Sequence, residues 1–245
     1  MKILILAAGY ATRLYPLTKH WPKPLLVVKE KPIISHITQR LKNLPGIKEI
    51  IIITNGNFID HFKAWARDCG LKKKIVVLDD KTTSEKDRLG AIGDIEFAID
   101  NHSIDDDLLV IGGDNLFAFD LKKFIHFAQS KKSACSVGLY DIKNPALIKN
   151  YGVVTLNKKG QIIRFQEKPH KSKSLLISMC IYYFPRNSLG LIKQYLKSKN
   201  SRDAPGNYIN WLHHKHKVWG YVFDGVWYDI GDIVTFYHAT VTFKD

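Results

Sequence analysis

Residues 6–28 read LAAGYATRLYPLTKHWPKPLLVV, the end of an apolar segment running into a turn of small residues. Ile3 to Leu6 is short and wholly apolar, which predicts a buried strand. Ala7, Ala8, Gly9 and Ala11 follow it, and side chains this small let backbone N–H groups approach phosphate oxygens closely. Arg13 adds a planar, permanently charged fork and Lys23 a mobile point charge. The pattern suits a phosphate-binding loop. A surface loop with two incidental cations is the blander alternative, and a glycine-bearing turn alone does not separate them.

Outward from this segment, strand and helix alternate. A helix is predicted from Pro32, with Ile33, Ile37 and Leu41 on one face. Glu49–Thr54 (EIIIIT) predicts a fully buried strand. Residues 57–69 predict an amphipathic helix that turns Phe58, Phe62, Trp65 and Ala66 inward and ends at Gly70. Ile75–Leu78 is a further strand, Gly90–Ile99 a helix and Leu108–Ile111 a fourth strand. Apolar strands separated by helices imply an α/β fold, a Rossmann-like and mostly parallel sheet flanked by helices. Right-handed crossovers put the ligand cleft at the carboxyl ends of the strands, so chemistry is expected at residues 8–16 and 112–116.

The second half changes character. YGVVTLN and QIIRFQEK flank NKKG at 157–160, a hairpin signal. LLISMCIYYF is a strand, residues 188–198 and 204–214 are helical, and KVWGYVF precedes a last helix. This half is expected to form a smaller mixed β subregion over one side of the cleft. One domain, 1–245, is expected, with halves 1–120 and 121–245.

Composition narrows the class. A hydrophobic share of 45% and an aromatic share of 11% are those of a folded globular protein. The longest apolar run, Leu175 to Phe184, includes Ser178 and is too short to cross a bilayer, so membrane insertion is not expected. MKILILAAGY has the lysine and apolar run of a leader, but Arg13 arrives almost at once and a buried first strand is the better reading. Cys69, Cys135 and Cys180 are odd in number and far apart, which favours reduced thiols in a cytoplasmic protein over a disulfide framework or zinc ribbon. The net charge of +14 is scattered in short runs such as Lys72–Lys74 and Lys158–Lys159, with no nucleic-acid motif, so nucleic acid is not expected as a partner. His213, His214 and His216 have no carboxylate or thiol companion and read as a solvated patch.

The string from Leu6 to Leu25 closely resembles the signature of the sugar-phosphate nucleotidyltransferases, L-A-A-G-x-G-T-R-L-x-P-L-T followed by P-K-P. One position departs: the second signature glycine is Ala11, a change of small effect if the backbone there keeps φ negative. Later segments resemble the family in order. GGDN at 112–115 follows the fourth strand, YGVV at 151–154 and EKP at 167–169 resemble the sugar-binding pieces, and WYDIGD at 227–232 resembles W-x-D-x-G. Each has a bland reading, as an ordinary turn or a charged hairpin edge. Four of them in family order outweigh it.

The resemblance implies that a nucleoside triphosphate and a sugar 1-phosphate are joined with Mg²⁺, giving pyrophosphate and an NDP-sugar of the kind used as a cell-surface polysaccharide precursor. It implies a nucleotide site at Leu6, Ala7, Ala8, Gly9, Ala11, Thr12, Arg13 and Lys23, and a substrate site at Asn115, Gly152, Glu167 and Lys168. Asp114 and Asp229 become metal carboxylates, with Asp232 capping the last helix. Arg13 is placed on the β- and γ-phosphates, Lys23 on the α-phosphate and Lys168 on the attacking phosphate, so that Arg13, Lys23, Asp114 and Lys168 carry the chemistry. Two polyanionic substrates would also draw on a positive field. The base reader falls in TTSEKDRLGAIGD at 82–94, with Thr83, Ser84 and Gly90 as contacts, and lacks the glutamine expected for a thymidylyl enzyme.

Three other functions would share part of this pattern. A cytidylyltransferase acting on a non-sugar phosphate would share the fold, but Gly152 and Glu167–Lys168 favour a sugar. A metal-dependent glycosyltransferase would carry Asp-x-Asp after a strand, whereas Asp105–Asp107 precedes one. A non-catalytic regulator would not be expected to retain Arg13, Lys23, Asp114, Lys168 and Asp229. No left-handed β-helix acyltransferase domain is expected within these residues. A homo-oligomer is compatible with the sequence, which does not settle the base or the sugar.

Overall fold

The structure, a computed structural model, describes residues 1–198 and 200–244. The first half contains β1 (Lys2–Leu6), a short β2 (Val27–Val28) and β3 (Lys31–Pro32), α1 (Ile33–Leu41), β4 (Glu49–Thr54), α2 (Ile59–Asp68), β5 (Ile75–Asp79), α3 (Ala91–Asn101), β6 (Leu108–Gly112) and β7 (Asn115–Phe117). The second contains α4 (Lys122–Ser130), β8 (Cys135–Asp141), β9 (Gly152–Leu156), β10 (Ile162–Glu167), β11 (Leu176–Phe184), α5 (Gly190–Lys197), α6 (Pro205–His213), β12 (Val218–Val222), β13 (Trp227–Asp229) and α7 (Ile233–Thr242).

β1 lies between β4 and β6 and runs parallel to both, and β5 continues the parallel set beyond β4. The chain therefore builds outward through β4 and β5, then returns to the other side of β1 with β6. That reversal opens a crevice at the carboxyl ends of β1 and β6, where ligands of open α/β sheets bind. Both faces of these strands are covered. Ile3, Ile5, Ile50, Ile52, Leu109 and Ile111 pack with Ile34 and Ile37 of α1, Phe62 of α2 and Phe124 of α4. The alternate residues Leu4, Ile51, Ile53, Leu108 and Val110 pack with Ile95 of α3, Ile192 of α5 and Ile209 of α6. Burial on both faces is why these strands read as continuous apolar runs.

The second half extends the same sheet. β11 runs antiparallel to β6 through Ile181–Phe184, and β8 and β12 follow on its other edge. Farther back along β11, Ile177 pairs instead with Val153 of β9, which carries the β9–β10 hairpin around Asn157 and Gly160. Between these two pairings β11 shifts register against β8, and Cys180 takes φ +55°. The bulge turns the hairpin away from β6, and a cavity lies in the fork.

A third, smaller core gathers Leu14, Leu26, Leu116, Ile230, Phe236 and Phe243. Within it β13 pairs with β7, and α7 starts at a capping box: Thr235 N–H donates to Asp232 Oδ1 at 2.8 Å, and Asp232 N–H donates to Thr235 Oγ1 at 3.1 Å. Asp232 is thus the helix cap that the sequence suggested. Pro32 precedes α1 instead of opening it, and Trp65 and Ala66 are only half-buried because α2 lies near the sheet edge. No helix among the described residues is long and apolar enough to cross a membrane.

Candidate active site

Leu6, Ala7 and Ala8 continue β1 into the crevice and are held there by its neighbour. Ala7 N–H donates to Ile53 O at 2.8 Å, and the buried Asn55 amide donates to Ala8 O at 2.9 Å. Gly9 is exposed, with open space where a Cβ would point. The chain then turns at Ala11, whose φ of +49° and ψ of +40° are left-handed. This corrects the expectation of negative φ: a left-handed residue is what the turn into Thr12–Leu14 requires, and alanine occupies it at a conformational cost. The Ala11 carbonyl is gripped from both sides, by Thr18 Oγ1 at 2.8 Å and by Leu14 N–H at 2.9 Å. Thr12 and Arg13 are exposed on the resulting 3₁₀ turn, while Leu14 anchors it in the third core.

Asp114 follows β6. Gly113 lets the crossing happen, because a Cβ there would lie 2.6 Å from Leu6 O and 3.0 Å from Pro24. The same contact brings the Pro22–Lys23–Pro24 segment onto the crevice. Lys23 Nζ donates to Asp114 Oδ2 at 2.7 Å. Asp229 stands opposite at the end of β13, paired in register with Asn115. Burial raises its carboxyl first and the Asp114 charge second, while Lys23 and Arg13 pull it down. Arg13 Nη2 lies 3.8 Å from the point where a Gly231 Cβ would project. Arg13, Lys23, Asp114 and Asp229 therefore meet at one place.

The cavity in the fork, about 170 Å³, begins beside Asp114 and Asp229. Glu167 forms part of its wall. A Cβ on Gly152 would lie 3.2 Å from Glu167 Oε2, and one on Gly206 would lie 2.2 Å from it, so the carboxylate nests between two glycines and the first turn of α6. Burial raises Glu167 above the usual carboxylate range, partly offset by Lys168. Lys168 is exposed at φ +45°, with its N–H donating to Tyr151 O at 3.0 Å. Asn115 has a largely structural setting: its side chain accepts from Trp227 Nε1 at 2.6 Å and donates to Gly112 O at 3.2 Å.

Several lining residues were not singled out from the sequence, namely Tyr151, Cys180, Tyr182, Gly206 and Trp227. The YGVV and W-x-D-x-G strings contained two of them, and the left-handed Cys180 gives no local signal. Burial raises the Cys180 thiol, aided by the Asp114 and Asp229 charges. Cys69, Cys135 and Cys180 are all unpaired thiols.

The segment 82–94, expected from the sequence to read the base, lies beyond β5. Thr83 is exposed, and its N–H and the Ser84 hydroxyl donate to Asp87 at 3.1 and 2.9 Å, a self-contained loop. Gly90 caps α3 with φ +76°. Beneath lies a buried acid pair, Asp80 and Asp94, hydrogen-bonded to each other. Asp80 accepts from Thr82 N–H and Oγ1, and Thr82 Oγ1 in turn contacts the Tyr10 hydroxyl of the small-residue loop at 3.1 Å.

Residues 2–245 match the family model described as nucleotidyl transferase. The bifunctional protein GlmU of Methanocaldococcus jannaschii is 32% identical over 232 residues, 94% of this chain and 51% of that protein. Glucose-1-phosphate adenylyltransferase of Fervidobacterium nodosum is 27% identical over 251 residues, 97% of this chain and 60% of that protein. The chain thus spans about half the length of the curated relatives it matches. Among solved structures, a Bacillus anthracis protein provisionally named glucose-1-phosphate thymidylyltransferase, in complex with sucrose, superposes with a TM-score of 0.80 at 25% identity, over 100% of this chain and 98% of that one.

Proposed function

Since this chain belongs to the nucleotidyl transferase family, we propose that it joins a nucleoside triphosphate to a sugar 1-phosphate, releasing pyrophosphate and an NDP-sugar. The observation that carries this reading is the junction at Asp114. On one side stands the small-residue loop with Arg13 and Lys23, and on the other the cavity walled by Gly152, Glu167 and Gly206. A triphosphate lying along the first and a sugar filling the second would bring their phosphates together there. Two of these names pair glucose 1-phosphate with different bases, adenylyl in one and thymidylyl in the other, which supports the reaction class without choosing the base.

The donor set fits Mg²⁺. Asp114 and Asp229 offer hard oxygen ligands, and Asp229 stays raised by burial and by Asp114 despite the two cations nearby. Mg²⁺ takes one or two carboxylates and completes its shell with water and phosphate oxygens. Among the described residues there is no cluster of three or more His, Cys, Asp or Glu of the kind an all-protein cage uses. When bound by Asp114 and Asp229, the ion would supply positive charge beside the α-phosphate.

The remaining work falls to side chains. Arg13 holds the β- and γ-phosphates, where negative charge grows as pyrophosphate departs, and Lys23 can swing from Asp114 to the α-phosphate. Glu167 accepts hydrogen bonds from sugar hydroxyls, and Lys168 holds the acceptor phosphate. That phosphate is already anionic, so in-line attack needs no general base. Positioning and charge neutralisation suffice. We place this enzyme in the cytoplasm, consistent with its unpaired thiols.

The test is pyrophosphate release from the five common triphosphates with glucose, mannose and N-acetylglucosamine 1-phosphates. Asp114→Asn and Asp229→Asn are each expected to lose at least about 10²-fold in turnover with the melting temperature kept. Release that persists undiminished in excess EDTA would remove the metal assignment. No release with any sugar 1-phosphate would remove the reaction.

A further inference from the structure

The connection between α5 and α6 touches both sides of the cleft. Its start is tied to α5: the buried Tyr195 donates its hydroxyl to Ser201 O at 2.6 Å, and Asn200 Nδ2 donates to Tyr195 O at 2.9 Å. Its middle sits on the start of α3. Ile92 N–H donates to Arg202 O at 3.0 Å, which satisfies one first-turn donor of a helix whose glycine cap has no side chain to offer. Gly90 approaches so closely that a Cβ there would lie 2.7 Å from Arg202 O. Arg88 Nη2 donates to Asp203 Oδ2 at 2.7 Å. The next residues, Ala204 to Gly206, wall the cavity on the Glu167 side.

We propose that this connection is a clasp through which occupancy of the nucleotide loop is felt in the sugar-phosphate pocket, with Arg88 and Asp203 as positioning residues. The inference rests on the function proposed above. A nucleotide that settles against residues 82–90 and shifts the start of α3 would carry Arg202 with it, because Ile92 N–H is hydrogen-bonded to Arg202 O and Gly90 leaves no room for even a methyl group against that carbonyl. The displacement reaches Gly206, and therefore Glu167, within four residues of chain. Coupling of this kind is reciprocal, so sugar phosphate would tighten the nucleotide by the same factor. The Arg88–Asp203 pair is half-exposed and adds little to stability, so it can be altered without unfolding the protein.

The experiment compares wild type, Arg88→Asp, Asp203→Arg and the double reversal. Calorimetry gives the Kd of the tightest-binding sugar 1-phosphate of the three above, alone and with the α,β-methylene analogue of the best triphosphate. In wild type the analogue should tighten sugar phosphate binding about fivefold or more. Each single reversal should bring that factor to within about twofold of unity, with the Kd for sugar phosphate alone unchanged, and the double reversal should restore most of it. Hydrogen exchange at residues 90–93, measured without any ligand, should quicken in both singles and recover in the double. Full coupling in the singles, absent coupling in wild type, or a double reversal without rescue would each overturn the clasp. Wild-type turnover separates the two readings: pyrophosphate release with coupling unchanged in the singles rejects the clasp and leaves the function standing.

Discussion

Ala11 holds a left-handed backbone that a β-carbon disfavours by about 1–2 kcal/mol, and it does so where the small-residue loop after β1 turns. Ala11→Gly should relieve that strain, lose part of the gain to the freer unfolded chain, and stabilise by about 1 kcal/mol net. Melting should rise by about 2–4 °C. A fall would mean that the methyl group, which packs against the third core, contributes more by contact than its backbone costs. Arg13 is a different kind of residue, exposed on its turn and close to Gly231 and Asp229. Arg13→Ala should lower turnover by about 10²–10³ with melting unchanged, and Arg13→Lys should recover only part, because an ammonium keeps the charge without the fork. Turnover within a few-fold of wild type would make Arg13 a bystander. The letters around Arg13, Asp114, Glu167 and Asp229 were legible in the sequence because each sits in a contiguous string. The Lys23–Asp114 contact was not, since its partners are far apart in the chain and only the docking of Pro24 on Gly113 brings them together.

Between elements, the same difference in range decides what could be read. β1, β4 and β6 announce themselves as unbroken apolar runs because helices cover both of their faces. β11 is equally apolar, but its pattern carries no sign of direction, and nothing local shows that it runs antiparallel to β6 or bulges at Cys180. β8 and α4 escaped notice for a related reason: short segments with mixed composition are fixed by the neighbours they pair with. The junction of β5 and α3 holds a further feature hidden from sequence, the buried Asp80–Asp94 pair. Burial, the charge of Asp80 and their mutual hydrogen bond raise Asp94 to about 8. At low pH the folded and unfolded chains both carry that proton. As pH rises past roughly 4 the unfolded aspartate ionises while the folded pair keeps its proton, so stability falls until about pH 8 and then levels. Asp94→Asn should abolish this decline. Its melting temperature should exceed wild type by at least about 2–4 °C at pH 8, with the gap closing near pH 4.5. An equal gap at both pH values would show that no proton is shared.

Across the whole molecule, the third core explains how distant strings come to form one site. Leu14 follows Arg13, Leu116 lies two residues past Asp114, and Ile230 follows Asp229, so packing these three together with Leu26 and α7 sets the functional side chains around a common point. The site at that point sets the carboxyls of Asp114 and Asp229 against the cations Arg13 and Lys23, whereas the chain as a whole carries +14. The two scales act on different steps. Within the cleft, charges a few ångströms apart are hardly affected by salt, because ions cannot enter between them. Over the longer approach of a triphosphate, the summed field of scattered lysines attracts the ligand and is screened beyond a Debye length of about 10 Å at 0.1 M salt. Raising NaCl from about 20 to about 300 mM should therefore reduce kcat/KM for the triphosphate at least about threefold while leaving kcat nearly constant. The same titration with sugar 1-phosphate, which carries less charge, should show a shallower slope. A kcat that fell in step with kcat/KM would mean that salt reaches the bound complex itself, and the +14 would then be acting inside the cleft instead of on the way to it.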